Sequence, residues 1–189
     1  MNLSDKYINR ESQVSANTYR PLPVVIQKGE GVWITDVEGK RYLDMLAAYS
    51  ALNQGHCHPD IVEATKKQLD VLTLTSRAFH NDKMVLLLEK LRELSGFDKT
   101  LLMNSGAEAV ETAIKAMRRW GQFSKGVPEG KGEIIVMKNN FHGRTSTIIS
   151  FSSDEGSKKG YGPFSAGFKM VPYNDVKALE AAITPYTVG

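Results

Sequence analysis

Polar positions dominate residues 1–23, which close on Tyr19-Arg20-Pro21-Leu22-Pro23. Two prolines so close together favour an extended arm over a helix. From Val24 the pattern turns to short β-type runs: Val24-Val25-Ile26, Val32-Trp33-Ile34-Thr35-Asp36 and Arg41-Tyr42-Leu43-Asp44-Met45. Glu38-Gly39 is the turn between the last two. These runs predict a small antiparallel N-terminal lobe. After Gly55-His56-Cys57-His58 the period lengthens. Pro59 suits a first helical turn, and Ile61, Val62, Thr65, Leu69 and Leu72 recur at helical spacing. A second helix is expected after Asn81, with Asp82 as its N-cap, Val85, Leu88, Leu91 and Leu94 as its buried stripe and Gly96 as its stop.

Beyond this point strands and helices alternate. Thr100-Leu101-Leu102-Met103 is a short apolar run that suits a buried strand. Residues 105–120 read as a helix with Ala109, Ala113, Ala116, Met117 and Trp120 on one face and Lys115, Arg118 and Arg119 towards its C-terminus. Residues 121–132 form a surface loop, residues 133–138 a strand, and Thr147-Ile148-Ile149-Ser150 a further element. A looser, glycine-containing segment precedes a last helix over residues 176–183. The alternation predicts an α/β layered fold, with no internal repeat.

Composition narrows the function classes. The 189 residues carry 24 basic and 21 acidic side chains, a net charge of +3, which gives no reason to expect a nucleic-acid partner. Cys57 is the single cysteine, so an internal disulfide is excluded and a reducing cytoplasm is the expected location. The N-terminus has no apolar h-region, and no stretch approaches the ~20 apolar residues of a membrane span.

Two segments carry candidate chemistry. In Leu101-Leu102-Met103-Asn104-Ser105-Gly106-Ala107-Glu108-Ala109 an apolar run passes through small residues directly into a helix. Small side chains leave the first helical amides open to an anion, so this turn is either a phosphate cradle or a tight turn capped by Ser105. The stretch from Gly126 to Gly130-Lys131 is no P-loop, being one residue short and lacking the following Ser or Thr. The second segment, Lys138-Asn139-Asn140-Phe141-His142-Gly143-Arg144-Thr145, falls at the carboxyl end of a strand, where open α/β sheets place their ligands. Phe141 offers a face for stacking a planar ring and Arg144 a fork for a carboxylate; the alternative is a core aromatic beside a surface arginine. His142 is either a base or structural. His56-Cys57-His58 resembles a metal triplet only superficially, because adjacent side chains of an extended segment point to opposite sides. Tyr49 and Ser50 read locally as packing and capping residues.

Four segments in order resemble the class III aminotransferases that use pyridoxal phosphate: Ala48-Tyr49-Ser50-Ala51-Leu52-Asn53-Gln54-Gly55-His56-Cys57-His58-Pro59, Leu72-Thr73-Leu74-Thr75-Ser76-Arg77-Ala78-Phe79, Asn104-Ser105-Gly106-Ala107-Glu108-Ala109 and Asn140-Phe141-His142-Gly143-Arg144-Thr145. The resemblance runs from Tyr19 to near the chain end and is nearest to the ornithine-using members. It implies a fold-type I transferase, with an N-terminal arm and lobe over residues 1–58 and the first part of the large mixed-sheet domain over residues 59–189. It further implies that Ser105, Gly106 and Ala107 hold the cofactor phosphate, that Phe141 stacks on its ring with His142 alongside, and that Arg144, Tyr19 and Tyr49 bind substrate.

The implied reaction moves the δ-amino group of L-ornithine to 2-oxoglutarate in a homodimer with residues of both subunits in each site. Members of the family are about twice this length, and their Schiff-base lysine lies in the second half, so no catalytic residue is expected before Gly189. The chain is therefore read as an N-terminal portion, inactive alone. Two alternatives are another ω-aminotransferase, for acetylornithine or 4-aminobutyrate, and a noncatalytic cofactor- or phosphate-binding assembly module.

Overall fold

Local capping and turn chemistry decide where the first elements begin. In the computed structural model, which describes residues 2–189, the Asn2 side chain accepts the Asp5 amide at 2.7 Å and starts helix α1 (Leu3–Ser12). The Ser4 amide donates to Glu38 Oε1 at 2.8 Å and docks the helix on a distant turn. The extended arm is thereby corrected: the prolines restrict only their own neighbourhood, and the segment ahead of them is free to coil. Strands β1 (Ile26–Glu30), β2 (Trp33–Asp36) and β3 (Arg41–Leu43) form the expected antiparallel meander, with Ile34 opposite both Gly29 and Tyr42. Its second turn is organised by buried Asp36, which accepts the amides of Glu38 (3.0 Å) and Lys40 (2.8 Å) and the Tyr42 hydroxyl (2.7 Å).

A single turn α2 (Ala47–Ser50) follows, and then α3 (Pro59–Leu69), with Pro59 in its first turn as expected. The next helix, α4 (Asp82–Ser95), is capped one residue earlier than its sequence suggests. Asn81 Oδ1 accepts the amides of Lys83 (2.9 Å) and Met84 (3.2 Å), and Asp82 belongs to the first turn. The chain divides into two units, one up to Met84 and the other from Val85 to Gly189.

The second unit holds the apolar core. Its elements are α5 (Gly106–Phe123), β4 (Ile134–Met137), α6 (Ser146–Ser150), α7 (Glu155–Lys158), β5 (Phe168–Val171) and α8 (Val176–Ala182). Strands β4 and β5 pair in parallel, Ile134 opposite Phe168 through Met137 opposite Val171, with α6 and α7 in the crossover. The end of the chain lies along the other edge of β4, where the Val188 amide donates to Glu133 O and the Ile135 amide to Gly189 O.

Ile114, Val127, Ile134, Ile148, Phe151 and Val188 form the core. On α5 the inward positions are Ala107, Val110, Ile114, Met117 and Gly121, at steps of three and four. The expected alanine stripe is therefore corrected: of its members only Met117 packs on the core, and Trp120 is exposed. Alanines at 109, 113 and 116 share a helical period too, yet the larger Val110 and Ile114 have the volume that fills the space. Two further readings change. Thr100–Met103 joins neither sheet and stays irregular, and Val127 of the expected surface loop is core.

Ile148 is 1% exposed, so Ile148→Ala leaves a cavity and is expected to lower unfolding free energy by about 2–5 kcal/mol in urea titration. Asp36 is held below the usual aspartate range, first by the Tyr42 hydroxyl and then by the Lys40 and Glu38 amides. A lowered folded-state value gives stability that is present at neutral pH and lost as pH falls through that value. The hairpin, followed by Trp33 fluorescence in a Trp120→Phe background, is expected to loosen below the ordinary aspartate range. Asp36→Asn is expected to weaken it at pH 7 and to flatten this acid dependence.

Candidate functional site

The start of α5 is built by reciprocal capping. Ser105 is extended (φ −142°, ψ 162°), and its Oγ accepts the Glu108 amide at 3.2 Å. Glu108 Oε2 turns back to accept the amides of Asn104 (2.7 Å) and Ser105 (3.1 Å). The Ala109 amide donates to Ser105 O at 3.0 Å, the first bond of the helix proper. The first-turn amides of Gly106 and Ala107 stand outside this cap, at the positive end of the helix dipole. A Cβ built on Gly106 meets nothing within 4 Å, and the residue has no left-handed φ. Neither crowding within the chain nor backbone strain calls for glycine there. What it does is keep the approach to the two amides clear.

The segment after β4 is brought against this helix end. Asn140 Nδ2 donates to Met137 O (2.6 Å) and Phe151 O (3.1 Å), and the Asn139 amide donates to Ser153 Oγ (2.8 Å), which fixes the turn. Phe141 is 76% exposed; the aromatic in the core is Phe151, and the His142 ring lies tilted against it at 5.9 Å. Gly143 has φ 121°, and a Cβ on it would lie 2.9 Å from Ala107 Cβ. Thr145 caps α6 by accepting the Ile148 amide and donates its hydroxyl to Glu111 of α5. Arg144 is exposed, and its charge adds to the Ser157 hydroxyl and the Gly156 and Ser157 amides that hold Asp154 below the carboxylate range.

Tyr19 and Tyr49 lie in the unit up to Met84, and Ser105, Gly106, Ala107, Phe141, His142 and Arg144 in the unit from Val85. Tyr19 is in an irregular segment and 65% exposed. Tyr49 is 80% exposed in α2, where Ala47, Ala48, Tyr49 and Ser50 have φ of 46°, 49°, 56° and 69°. A left-handed conformation costs about 1–2 kcal/mol per non-glycine residue, so this turn is held by its surroundings. His56 meets Asp44 at 2.7 Å, Cys57 is exposed, and His58 is the N-cap residue of α3. No group of three His, Cys, Asp or Glu side chains among the described residues is placed to hold a metal ion. Sequence reasoning missed Glu108, Asn140, Glu111 and Asp44. The Ser105-x-x-Glu108 spacing was the available sign for the first; nothing local marks the others.

A family model described as aminotransferase class-III matches residues 14–184. The ornithine aminotransferase of Geobacillus sp. (strain WCH70) is 57% identical over 189 residues, 100% of this chain and 48% of that protein. An ornithine aminotransferase structure from Toxoplasma gondii, described as showing partial occupancy of PLP at the active site, matches with a TM-score of 0.96 and 40% identity over 98% of this chain and 44% of its own. The acetylornithine aminotransferase of Elizabethkingia anophelis matches with a TM-score of 0.84 and 50% identity, over 100% of this chain and 46% of its own. The chain spans about half the length of the curated relatives it matches.

The cap is tested by separating hydroxyl from backbone effects. Ser105→Ala is expected to cost about 1 kcal/mol of stability and Ser105→Gly only a few tenths, measured by denaturant unfolding. Undiminished stability in Ser105→Ala would remove the hydroxyl from this role.

Proposed function

The chain belongs to the class-III aminotransferases, and from that premise we propose that it forms part of an enzyme that moves the δ-amino group of L-ornithine to 2-oxoglutarate. The products are glutamate 5-semialdehyde and glutamate, and the cofactor is pyridoxal 5'-phosphate. The observation that carries the substrate assignment is 57% identity to an ornithine aminotransferase along the whole chain. For the cofactor, the supporting observation is the pair of amides at Gly106 and Ala107, with open space where a Cβ on Gly106 would project. This is chemistry suited to a phosphate dianion.

In this proposal Gly106 and Ala107 donate to the phosphate, with the Ser105 hydroxyl hydrogen free to join them because its oxygen is the cap acceptor. Phe141 covers one face of the ring and excludes water from it, and His142 supports the same loop through its contact with Phe151. Arg144 takes the substrate α-carboxylate in a two-pronged contact. Tyr19 and Tyr49 bind the substrate and orient its distal amine. When bound, pyridoxal phosphate supplies a carbonyl that takes up the amino group and a conjugated ring that delocalises the electrons released at the neighbouring carbon. The covalently attached lysine is expected beyond Gly189. The proposal includes a cytoplasmic homodimer; no helix among the described residues is long and apolar enough to cross a membrane.

The match to an acetylornithine aminotransferase at 50% identity supports a second reading, in which the α-amine of the substrate is acetylated. The two are separated by kcat/KM of the holoenzyme for ornithine, N-acetylornithine and 4-aminobutyrate with 2-oxoglutarate as acceptor. Ornithine is expected to exceed both by at least about ten-fold. Equal or greater efficiency with N-acetylornithine would overturn the ornithine assignment.

A further inference from the structure

The left-handed turn that carries Tyr49 needs something to hold it, because four consecutive non-glycine residues do not adopt φ between 46° and 69° unaided. One carboxylate stands at its entrance. Asp44 Oδ1 accepts the amides of Leu46 (3.1 Å) and Ala47 (2.9 Å), which lead into the turn, while Oδ2 meets His56 Nε2 at 2.7 Å. Both partners are anchored to the sheet. The Asp44 amide donates to Val32 O at 2.9 Å, and His56 exchanges both backbone hydrogen bonds with Gly31, at 2.9 and 2.7 Å. The His56 ring lies over Gly29, where a Cβ would come within 2.6 Å of it, and a Cβ on Gly55 would come 2.8 Å from Gly31 O. Two glycines are thus required for the close approach that delivers the imidazole to Asp44. The bond is partly sheltered, with side-chain exposures of 27% for His56 and 13% for Asp44. The His56 contact, with the Ala47 and Leu46 amides, holds Asp44 below the usual aspartate range, so the acceptor is a carboxylate at neutral pH.

We propose that Asp44 and His56 are positioning residues: their pair closes the loop from Asp44 to His56 and fixes the Ala47–Ser50 turn, so that Tyr49 is presented to substrate in one orientation. This rests on the reading of Tyr49 as a substrate-pocket residue. Neither side chain of the pair touches substrate in this account. Their effect falls on substrate affinity through Tyr49 and leaves cofactor affinity alone.

The test uses the holoenzyme and five variants: Asp44→Ala, His56→Ala, His56→Gln, Tyr49→Ala and Tyr49→Phe. Four quantities are measured for each: hydrogen exchange of the Leu46 and Ala47 amides without substrate, KM for ornithine, kcat for ornithine, and affinity for pyridoxal phosphate. Asp44→Ala and His56→Ala are expected to speed exchange at both amides and to raise the ornithine KM about ten-fold, with a smaller change in kcat and unchanged cofactor affinity. His56→Gln, whose side-chain amide still donates to Asp44, is expected to restore protection and most of the affinity. Unchanged exchange in Asp44→Ala and His56→Ala would overturn the proposal, as would faster exchange with an unaltered KM. If Asp44→Ala does not fold, the contrast between the two His56 variants decides. A raised KM in both Tyr49 variants with none in the Asp44 and His56 variants would sink this inference alone. Unaltered KM in both Tyr49 variants would sink the pocket reading of Tyr49 and the inference with it.

Discussion

The two segments with candidate cofactor chemistry meet where there is no room for a side chain. A Cβ on Gly143 would sit 2.9 Å from the Cβ of Ala107 and 3.3 Å from Ile148 Cδ1. This contact ties the loop after β4 to the first turn of α5, and each partner is in turn fixed by the core. Ala107 lies on the same face of α5 as Val110, Ile114 and Met117, and Ile148 is the most deeply buried apolar side chain among the described residues. Hydrogen bonds reinforce it from both sides, through the Ser105–Glu108 cap and through Thr145 to Glu111. The amides of Gly106 and Ala107 therefore have a set direction before any ligand arrives, and Phe141 is carried on a turn that Asn140 has already closed. Preorganised donors of this kind avoid the cost of ordering at binding.

Sequence signals located what local chemistry controls. The meander, the proline at the start of α3 and the Ser105 cap rest on interactions between near neighbours in sequence, and each was legible; β4 was legible from its apolar run alone, although its partners are distant. What escaped depends on partners far along the chain. Strand β5, only Phe168–Val171 inside a glycine-containing segment, exists because β4 offers a ladder. Thr100-Leu101-Leu102-Met103 has the composition of a strand and no place in either sheet. Helix α1 is mostly polar, with Leu3, Tyr7 and Ile8 as its apolar positions, and its signal was the Asn2 cap with Asp5 rather than a long stripe of apolar residues. On α5, two faces had helical periodicity, and volume rather than hydrophobicity chose between them. At the site, the small residues around Gly106 and Ala107 were legible as either a phosphate cradle or a turn capped by Ser105, and the structure shows the cap; Asp44 was not legible, since its partner His56 lies twelve positions away across a backbone bridge to Gly31.

The two units keep their shapes by different means. Every buried apolar side chain among the described residues belongs to the second: Ile114, Val127, Ile134, Ile148, Ile149, Phe151, Val171 and Val188. In the first, Trp33, Leu43, Met45 and Leu74 are all exposed, the last two by 85% and 86%. A three-stranded sheet with no buried apolar side chain among the described residues has little stability of its own, so its apolar surface suits contact with further protein.

Two aspartates of the N-terminal lobe are used in the same way. Asp36 is the last residue of β2 and Asp44 follows β3. Each accepts two backbone amides shortly downstream, at Glu38 and Lys40 for the first and at Leu46 and Ala47 for the second. Each then gives its other oxygen to one side-chain donor, Tyr42 or His56. Both carboxyls are held below the ordinary aspartate range by these donors. The device is the same but the loads differ. Asp36 closes a hairpin turn that contains Gly39 at φ 83° and carries no strain in its other residues. Asp44 stands before four left-handed residues that contain no glycine at all. Replacing one of those four by glycine would relieve the strain and also free the turn to take other shapes. A strained turn held by a carboxylate has a single geometry as long as the hydrogen bonds persist. For Tyr49, mostly exposed and proposed to meet substrate in one orientation, that geometry is supplied by hydrogen bonds to a carboxylate in a lobe with no buried apolar side chain among its described residues.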